Sequence, residues 1–234
     1  MTFDAGQTLV ELDLDFLARR VAMCAVVVEP AALRAAETAA WQHYDALVGA
    51  GRLDHPALWR ALMAQLLTGA GARGDLPAAV DWLYTQQPVA NLFRRPIDGM
   101  VELARELAGQ GARVAVLSNS EGGLAALLGE IGIADAFERI IDSARVGFAK
   151  PDRRIFELVD RELGGELGGE LGSGELRVHI GDSWAADVRG ALDAGWRAIW
   201  FGRHARPVGD DPRVAIARDA RELRAALVHF GALS

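Results

Sequence analysis

The chain has 234 residues, 51% apolar and 24% charged, a balance that excludes a disordered segment, a collagen-like fibre or a coiled coil and is ample for a hydrophobic core. Its net charge of −7 argues against non-specific nucleic-acid or membrane-surface binding, since both need concentrated positive charge. Of its 25 basic residues only Lys150 is a lysine, so chemistry that needs several ammonium groups is closed to it.

The chain opens with a short apolar segment, Thr2-Phe3, that ends on Asp4 and runs into Ala5-Gly6-Gln7-Thr8-Leu9. From about Asp13 to Phe93 the pattern is a succession of helices with almost no strand signal. Leu14, Leu17, Val21 and Ala25 recur at helical spacing; after Pro30, so do Leu33, Ala36, Ala40, Tyr44 and Leu47; Leu58, Leu62 and Leu66 follow, then Val80 and Leu83. Gly49, Gly51, Gly69, Gly71 and Gly74 punctuate these runs as helix stops.

Beyond Arg94 helix and strand signals alternate. Met100, Leu103, Ala104 and Leu107 define an amphipathic helix stopped at Gly109 and Gly111, and Val114, Val116 and Leu117 a buried strand that runs into Ser118-Asn119-Ser120. A helix over 124–131, a strand over 139–142 and a helix carrying Ile155, Phe156, Leu158 and Val159 come next. Then follow Val178-His179-Ile180 with Gly181 and Asp182, a helix from Ala185 to Ala194, strands at 198–201 and 214–217, and a last helix with Asp219 and Glu222 in a capping pattern. Between the helix of Phe156 and the strand of His179, Gly-Gly-Glu-Leu at 164–167 is repeated at 168–171 and echoed at 174–176, a surface connection because glycine pairs disfavour helix and strand alike. Alternating helices and buried strands predict an α/β fold: a Rossmann-like, mainly parallel sheet covered by helices on both faces, with an all-helical segment inserted after the first strand.

Cys24 is the single cysteine and forms no internal disulfide, and no Cys/His spacing suggests zinc or an iron–sulfur cluster. Met1 to Asp4 carries no basic segment before an apolar stretch, and the longest apolar run, Val21 to Val28, is too short to span a bilayer, so a cytoplasmic location and no membrane partner are expected.

In an open parallel sheet ligands bind beyond the carboxyl ends of strands. Asp4, Ser118, Asp182 and Asp187 follow such ends, and Lys150 lies in the loop after Asp142. A carboxylate nucleophile, a hydroxyl, one ammonium and two further carboxylates suit an anion bound together with a divalent cation.

Phe3-Asp4-Ala5-Gly6-Gln7-Thr8-Leu9, Leu117-Ser118-Asn119, Lys150-Pro151-Asp152 and Gly181-Asp182-Ser183-Trp184-Ala185-Ala186-Asp187 resemble the four ordered motifs of the haloacid dehalogenase (HAD) superfamily. The helical block resembles the inserted cap domain of its subfamily I. The resemblance implies a core of residues 1–12 and 94–234 and a cap of residues 13–93. It implies Asp4 as the nucleophile that becomes an aspartyl phosphate, Ser118 as donor to the transferring phosphoryl group, Asn119 shaping that loop, and Lys150 neutralising phosphate and nucleophile. Mg²⁺ would sit between Asp4 and Asp182, with the main-chain carbonyl of Gly6, and Asp187 would reach it through water or hold Lys150. Trp184 would line the substrate entrance or pack beneath the cap. Candidate specificity residues are Arg19, Arg20, Trp41, His43, Tyr44 and Trp59, with His43, Tyr44 and His55 as possible sources of an acid. The expected substrate is a small phosphate monoester; no nucleic-acid partner is expected, and the sequence leaves the oligomeric state and the substrate's identity open.

One position departs from the pattern. Most phosphatases of the superfamily carry a second aspartate two residues after the nucleophile, as acid and then base; here it is Gly6. Losing such proton transfer costs on the order of 10²–10⁴-fold in rate. A metal-independent dehalogenase also lacks that aspartate and needs no acid, but such enzymes typically have serine where this chain has Asp182 and tyrosine where it has Phe156. A phosphonatase needs a cap lysine, and residues 13–93 contain none. A binding or regulatory member that kept the site without the turnover is the remaining alternative.

Overall fold

The computed structural model describes residues 1–50, 54–164, 176–202, 205 and 209–233. The Gly-Gly-Glu-Leu repeat and Gly51 lie outside them, apart from the repeat's ends at Gly164 and Leu176. The chain forms two compact units, Met1–Glu11 with Phe93–Ser234, and Leu12–Leu92.

The first unit is built on six parallel strands: β1 (Thr2–Phe3), β4 (Ala115–Ser118), β5 (Arg139–Asp142), β6 (Val178–Gly181), β7 (Arg197–Phe201) and β8 (Val214–Ala217), in the order β5-β4-β1-β6-β7-β8. Alternate residues go to opposite faces. Phe3, Val116, Val178, Ile180, Ile199 and Phe201 pack on one side with α5 (Met100–Gly109), α6 (Leu124–Glu130) and α10 (Ala220–His229). Ala115, Leu117, Ala198 and Trp200 pack on the other with α8 (Arg153–Leu163) and α9 (Gly190–Asp193). Both faces are therefore apolar, as a parallel sheet covered on both sides requires. Thr2 and His179 interrupt this second face: both are fully buried, and they are register partners on neighbouring strands.

The sheet is wound outward from β1, to β4 and β5 on one side and to β6, β7 and β8 on the other. The loops after β1, β4 and β6 therefore leave the sheet side by side, at the switch point where the chain reverses its direction of winding.

The second unit is the helical insert: α1 (Leu14–Ala22), α2 (Pro30–Ala50), α3 (His55–Gly69) and α4 (Leu76–Gln86). Asp13, Asp54 and Asp75 cap α1, α3 and α4 by accepting the backbone N–H of the third residue along. Two expectations for this unit need correction. Ala25 does not continue the face of α1: the helix ends at Ala22, Ala25 takes φ +56°, and the following valines extend so that Val27 and Arg73 exchange backbone hydrogen bonds. Three consecutive β-branched residues favour that extended path. Gly49 does not stop α2, which runs through it to Ala50.

Where the chain passes into the insert and back, β2 (Val10–Leu12) pairs with β3 (Phe93–Pro96), with Glu11 and Arg95 2.6 Å apart. Val10-Glu11-Leu12 alternates, but over three residues only, and Phe93-Arg94-Arg95-Pro96 does not alternate, so both segments are too short or too polar for the sequence pattern to reveal them. The expected helix over 185–194 is divided: Trp184–Arg189 is a π-turn, and only α9 is regular. Ser183 O accepts from the amides of both Asp187 and Val188, which opens the turn by one residue. A 3-10 turn at Ala134–Ala136 and a one-turn helix, α7 (Ser143–Val146), complete the elements of the described residues.

Candidate active site

Lys150 organises the cluster at the switch point. Its Nζ donates to Asp4 Oδ1 at 2.6 Å and to Leu117 O at 2.7 Å, and lies 2.6 Å from Asp187 Oδ1, so three acceptors meet the three N–H bonds of one ammonium. Its side chain is 1% exposed. The loop that delivers it is held by Asn119, whose Nδ2 donates to Lys150 O at 2.9 Å and whose Oδ1 accepts from Lys150 N at 2.8 Å. Lys150–Pro151 is a cis peptide. Behind it Gly190 lets the chain close up: a β-carbon there would stand 3.0 Å from Phe156 Cε2 and from Pro151 Cα.

Asp4 follows β1 directly, and its amide donates to Ile180 O at 2.7 Å, continuing the ladder one residue beyond the strand. Ser118, the last residue of β4, is buried and in register with Asp142. Asp142 fixes the loop after Ser118 by accepting from the amides of Gly122, Leu124 and Ala144. Asp187 is tightly enclosed: Oδ2 accepts from Ser183 N at 2.8 Å, and Oδ1 lies 2.9 Å from His179 Nε2. Trp184 is half-buried against Trp200, ring centres 5.0 Å apart, and Trp200 Nε1 donates to Asp182 O at 2.8 Å.

One ammonium here answers three carboxylates. Burial, together with the charges of Asp187 and Asp4, pushes the Asp182 carboxyl well above 3.8, and burial raises Asp4 despite the pull of Lys150. Burial works against Lys150 as well, but Asp187 and Asp4 overcome it and hold the ammonium charged. Asp187 resists its own burial, because Lys150 and then His179 hold its carboxyl well below 3.8. The imidazole of His179 is kept neutral by burial and by Lys150.

A divalent cation fits this imbalance. Asp4, Asp182 and Asp187 each offer an oxygen within 4.8 Å of the others. An all-oxygen set suits a hard ion such as Mg²⁺. Gly6 stands beside the cluster in a tight turn in which Ala5 O accepts from Leu9 N and Val10 N and Gln7 takes φ +57°. A β-carbon built on Gly6 meets nothing within 4 Å, so the position is open space and not a close approach.

Asp4, Ser118, Asn119, Lys150, Asp182 and Asp187 thus gather at one end of the sheet. Of the residues proposed from the insert, Trp41 packs edge-on against Tyr44 and Trp59 against Tyr84 inside the helical unit, Arg20 stacks over Trp82, and Arg19, His43 and His55 are exposed. His179 joins the cluster although its mark in the sequence is no more than a lone histidine in a strand otherwise apolar on both faces.

The chain spans about half the length, or less, of the curated relatives it matches. It is 27% identical over 112 residues to pyrimidine 5'-nucleotidase YjjG of Escherichia coli, covering 47% of each chain. It is 29% identical over 115 residues to the (S)-2-haloacid dehalogenase of Pseudomonas sp. (strain YL), covering 49% of this chain and 46% of that one. In fold it is similar to the HAD-hydrolase YfnB from Bacillus subtilis, solved bound to magnesium, with a TM-score of 0.66 at 20% identity over 97% of this chain and 96% of that one. The haloacid dehalogenase-like hydrolase family model matches residues 2–195, a span that takes in the helical insert and every one of the strand-end clusters described above, and the chain belongs to that family.

Proposed function

We propose that this chain is a Mg²⁺-dependent phosphatase of small phosphate monoesters that works through an aspartyl phosphate on Asp4. The observation that carries the reading is the carboxylate triad of Asp4, Asp182 and Asp187 around one buried ammonium, a site short of positive charge that a divalent cation would supply, and with it the attraction a phosphate needs. Asp4, Asp182 and the Gly6 carbonyl would hold the ion, with Asp187 beside them; when bound, it withdraws charge from the phosphoryl oxygens and offsets the repulsion between substrate and carboxylates.

Asp4 attacks phosphorus with a carboxylate oxygen as the bond from phosphorus to the ester oxygen breaks; the ester oxygen leaves with its electron pair. Lys150 holds the Asp4 carboxylate in line and faces the growing negative charge as a compact point charge. Ser118 donates to the transferring group. Water then attacks phosphorus, returning Asp4 as a carboxylate and releasing phosphate. Nothing at position 6 protonates the leaving oxygen, so substrates whose alcohol is acidic, such as aryl phosphates, are favoured over alkyl ones. The helical unit is assigned as the cap.

A dehalogenase is the second reading, favoured by Gly6, because halide departs without a proton, and by the 29% identity to the (S)-2-haloacid dehalogenase of Pseudomonas sp. (strain YL). Asp182 weighs against it, since a metal-free site gains nothing from another buried carboxylate.

The test is an assay of purified protein with aryl and alkyl phosphates and with 2-haloacids, with Mg²⁺ and with chelator. Mg²⁺-dependent phosphate release, abolished in Asp4→Asn, is expected. Metal-independent halide release with no phosphate hydrolysis would overturn the reading in favour of the dehalogenase.

A further inference from the structure

His179 and Thr2 are fully buried polar residues on the inner strands, and the chemistry described so far does not use them. They are register partners on β6 and β1, and Thr2 Oγ1 lies 2.8 Å from His179 Nδ1. On the other side of the ring, Nε2 lies 2.9 Å from Asp187 Oδ1 and 3.5 Å from Lys150 Nζ. These distances select one tautomer. An ionised carboxylate only accepts, so Nε2 must carry the proton and donate to Asp187; the opposite tautomer would set two lone pairs 2.9 Å apart. Nδ1 then accepts from the Thr2 hydroxyl. Phe156 fixes the ring plane edge-on, with centroids 5.6 Å apart.

The consequence falls on Asp187. Its Oδ1 receives both Lys150 and His179, and its Oδ2 receives Ser183 N. The carboxylate cannot rotate without giving up a buried hydrogen bond. Without His179, Oδ1 would be held by Lys150 alone, and one fewer hydrogen bond would oppose the turning of Asp187 toward a cation held by Asp4 and Asp182, a turn that draws Lys150 away from Asp4.

We propose that His179, itself set by Thr2, is a positioning residue that locks Asp187 as the acceptor of Lys150 and so keeps the ammonium on Asp4. Its effect on turnover rests on the phosphatase reading; its effect on Lys150 does not.

The lone lysine makes the test direct, because ¹⁵N-lysine labelling of the full chain gives a single Nζ resonance, that of Lys150. In the parent we expect a slowly exchanging ammonium. His179→Leu, which removes the donor, should speed hydrogen exchange at Nζ about tenfold, the scale of one hydrogen bond to a charged group. His179→Gln, which can still offer an amide N–H to Asp187, should restore most of the protection. In Mg²⁺-dependent hydrolysis of p-nitrophenyl phosphate, His179→Leu should lower kcat with little change in KM, and should add less than about twofold when Asp187 is already Asn, as residues acting through one contact do. Unchanged exchange in His179→Leu overturns the proposal. So does equal loss in the Leu and Gln variants, the result of simple packing. If His179→Leu does not fold, Thr2→Val decides: faster Nζ exchange supports the proposal and unchanged exchange overturns it. A parent without phosphatase activity sinks the phosphatase reading and leaves the exchange experiment to decide this one.

Discussion

Lys150 and Asp4 stand 146 residues apart in the chain and 2.6 Å apart in space, with the buried lysine Nζ donating to a carboxylate oxygen of the buried aspartate. The other two N–H bonds of the ammonium are taken by Asp187 and Leu117 O, a fit to a small tetrahedral head. Arginine keeps the charge and loses the fit, because its planar fork is larger and points its donors along fixed directions. Lys150→Arg is therefore expected to fold with reduced stability and to lower kcat by about 10²-fold or more, the scale of a misplacement of about 1 Å at a reacting group. Steady-state kinetics on an aryl phosphate with Mg²⁺ checks it. Turnover within a factor of about two of the parent would show that any cation serves.

Gly181 holds Asp187 from behind. A β-carbon on Gly181 would lie 2.2 Å from Asp187 Cγ and 2.4 Å from Oδ2, closer than atoms can approach, and its φ is not of the kind that requires glycine. Only the missing side chain makes room for the carboxylate. Gly181→Ala should displace Asp187, cost about 1–3 kcal/mol in urea unfolding as overpacking does, and impair turnover as severely as Asp187→Ala. An alanine variant with parental stability and kinetics would mean that Asp187 tolerates being moved.

How much of this was legible beforehand differs between the two units. The parallel sheet is legible because strands such as 115–118 and 178–181 are buried on both faces and flanked by turn signals; Asp4, Ser118 and Asp182 sit at or just past strand ends the pattern locates, while Lys150 and Asp187 lie further along the loops that follow β5 and β6. What escaped were contacts that depend on register. Whether His179 meets Thr2 or a neighbour of Thr2 is decided by the alignment of β6 on β1, which no local pattern encodes. The π-turn at 184–189 was equally hidden, since the apolar spacing of Val188 and Ala191 suits an ordinary helix, and the extra residue shows only in the double hydrogen bond to Ser183 O. In the insert, aromatic residues whose chemistry suits substrate contact are engaged with one another, Trp59 with Tyr84 and Trp41 with Tyr44.

The pKa directions predict how the cation and pH act together on stability. Asp4 and Asp182 are raised above 3.8, so as pH climbs through that value the unfolded chain ionises first, and without metal the folded chain loses stability until the raised values are passed. Asp187 runs the other way: held below 3.8, its contribution is complete above that value and is lost only as pH falls beneath it. A cation binds the ionised carboxylates and competes with their protons. Mg²⁺ should therefore stabilise the fold little in mildly acidic buffer and clearly at neutral pH, by about 2.7 kcal/mol at free Mg²⁺ near 100 times Kd, with a matching rise in melting temperature. Differential scanning calorimetry with Mg²⁺ and with chelator at both pH values measures it. A gain that does not grow with pH would place the ion elsewhere.

On the phosphatase reading Gly6 stands where an acid/base carboxyl would act, and the structure makes the introduction of one testable. The residue is two positions after Asp4, its φ lies outside the left-handed region, and a β-carbon built on it touches nothing within 4 Å, so a side chain can start there without backbone strain or a clash at its β-carbon. If Asp4 is the nucleophile, the new carboxyl supplies the missing acid in the first step and the missing base in the second. The gain must depend on the leaving group: large for an alkyl phosphate, whose alkoxide needs a proton, and small for a nitrophenyl ester, whose phenolate departs without one. Gly6→Asp should raise kcat/KM for alkyl phosphates by about 10²–10⁴-fold and for aryl phosphates by much less. The double variant Asp4→Asn with Gly6→Asp should be inactive on both. Equal gains on the two ester classes would point to improved cation binding by the added carboxylate, and no gain on either would mean that the leaving oxygen already takes its proton from another group.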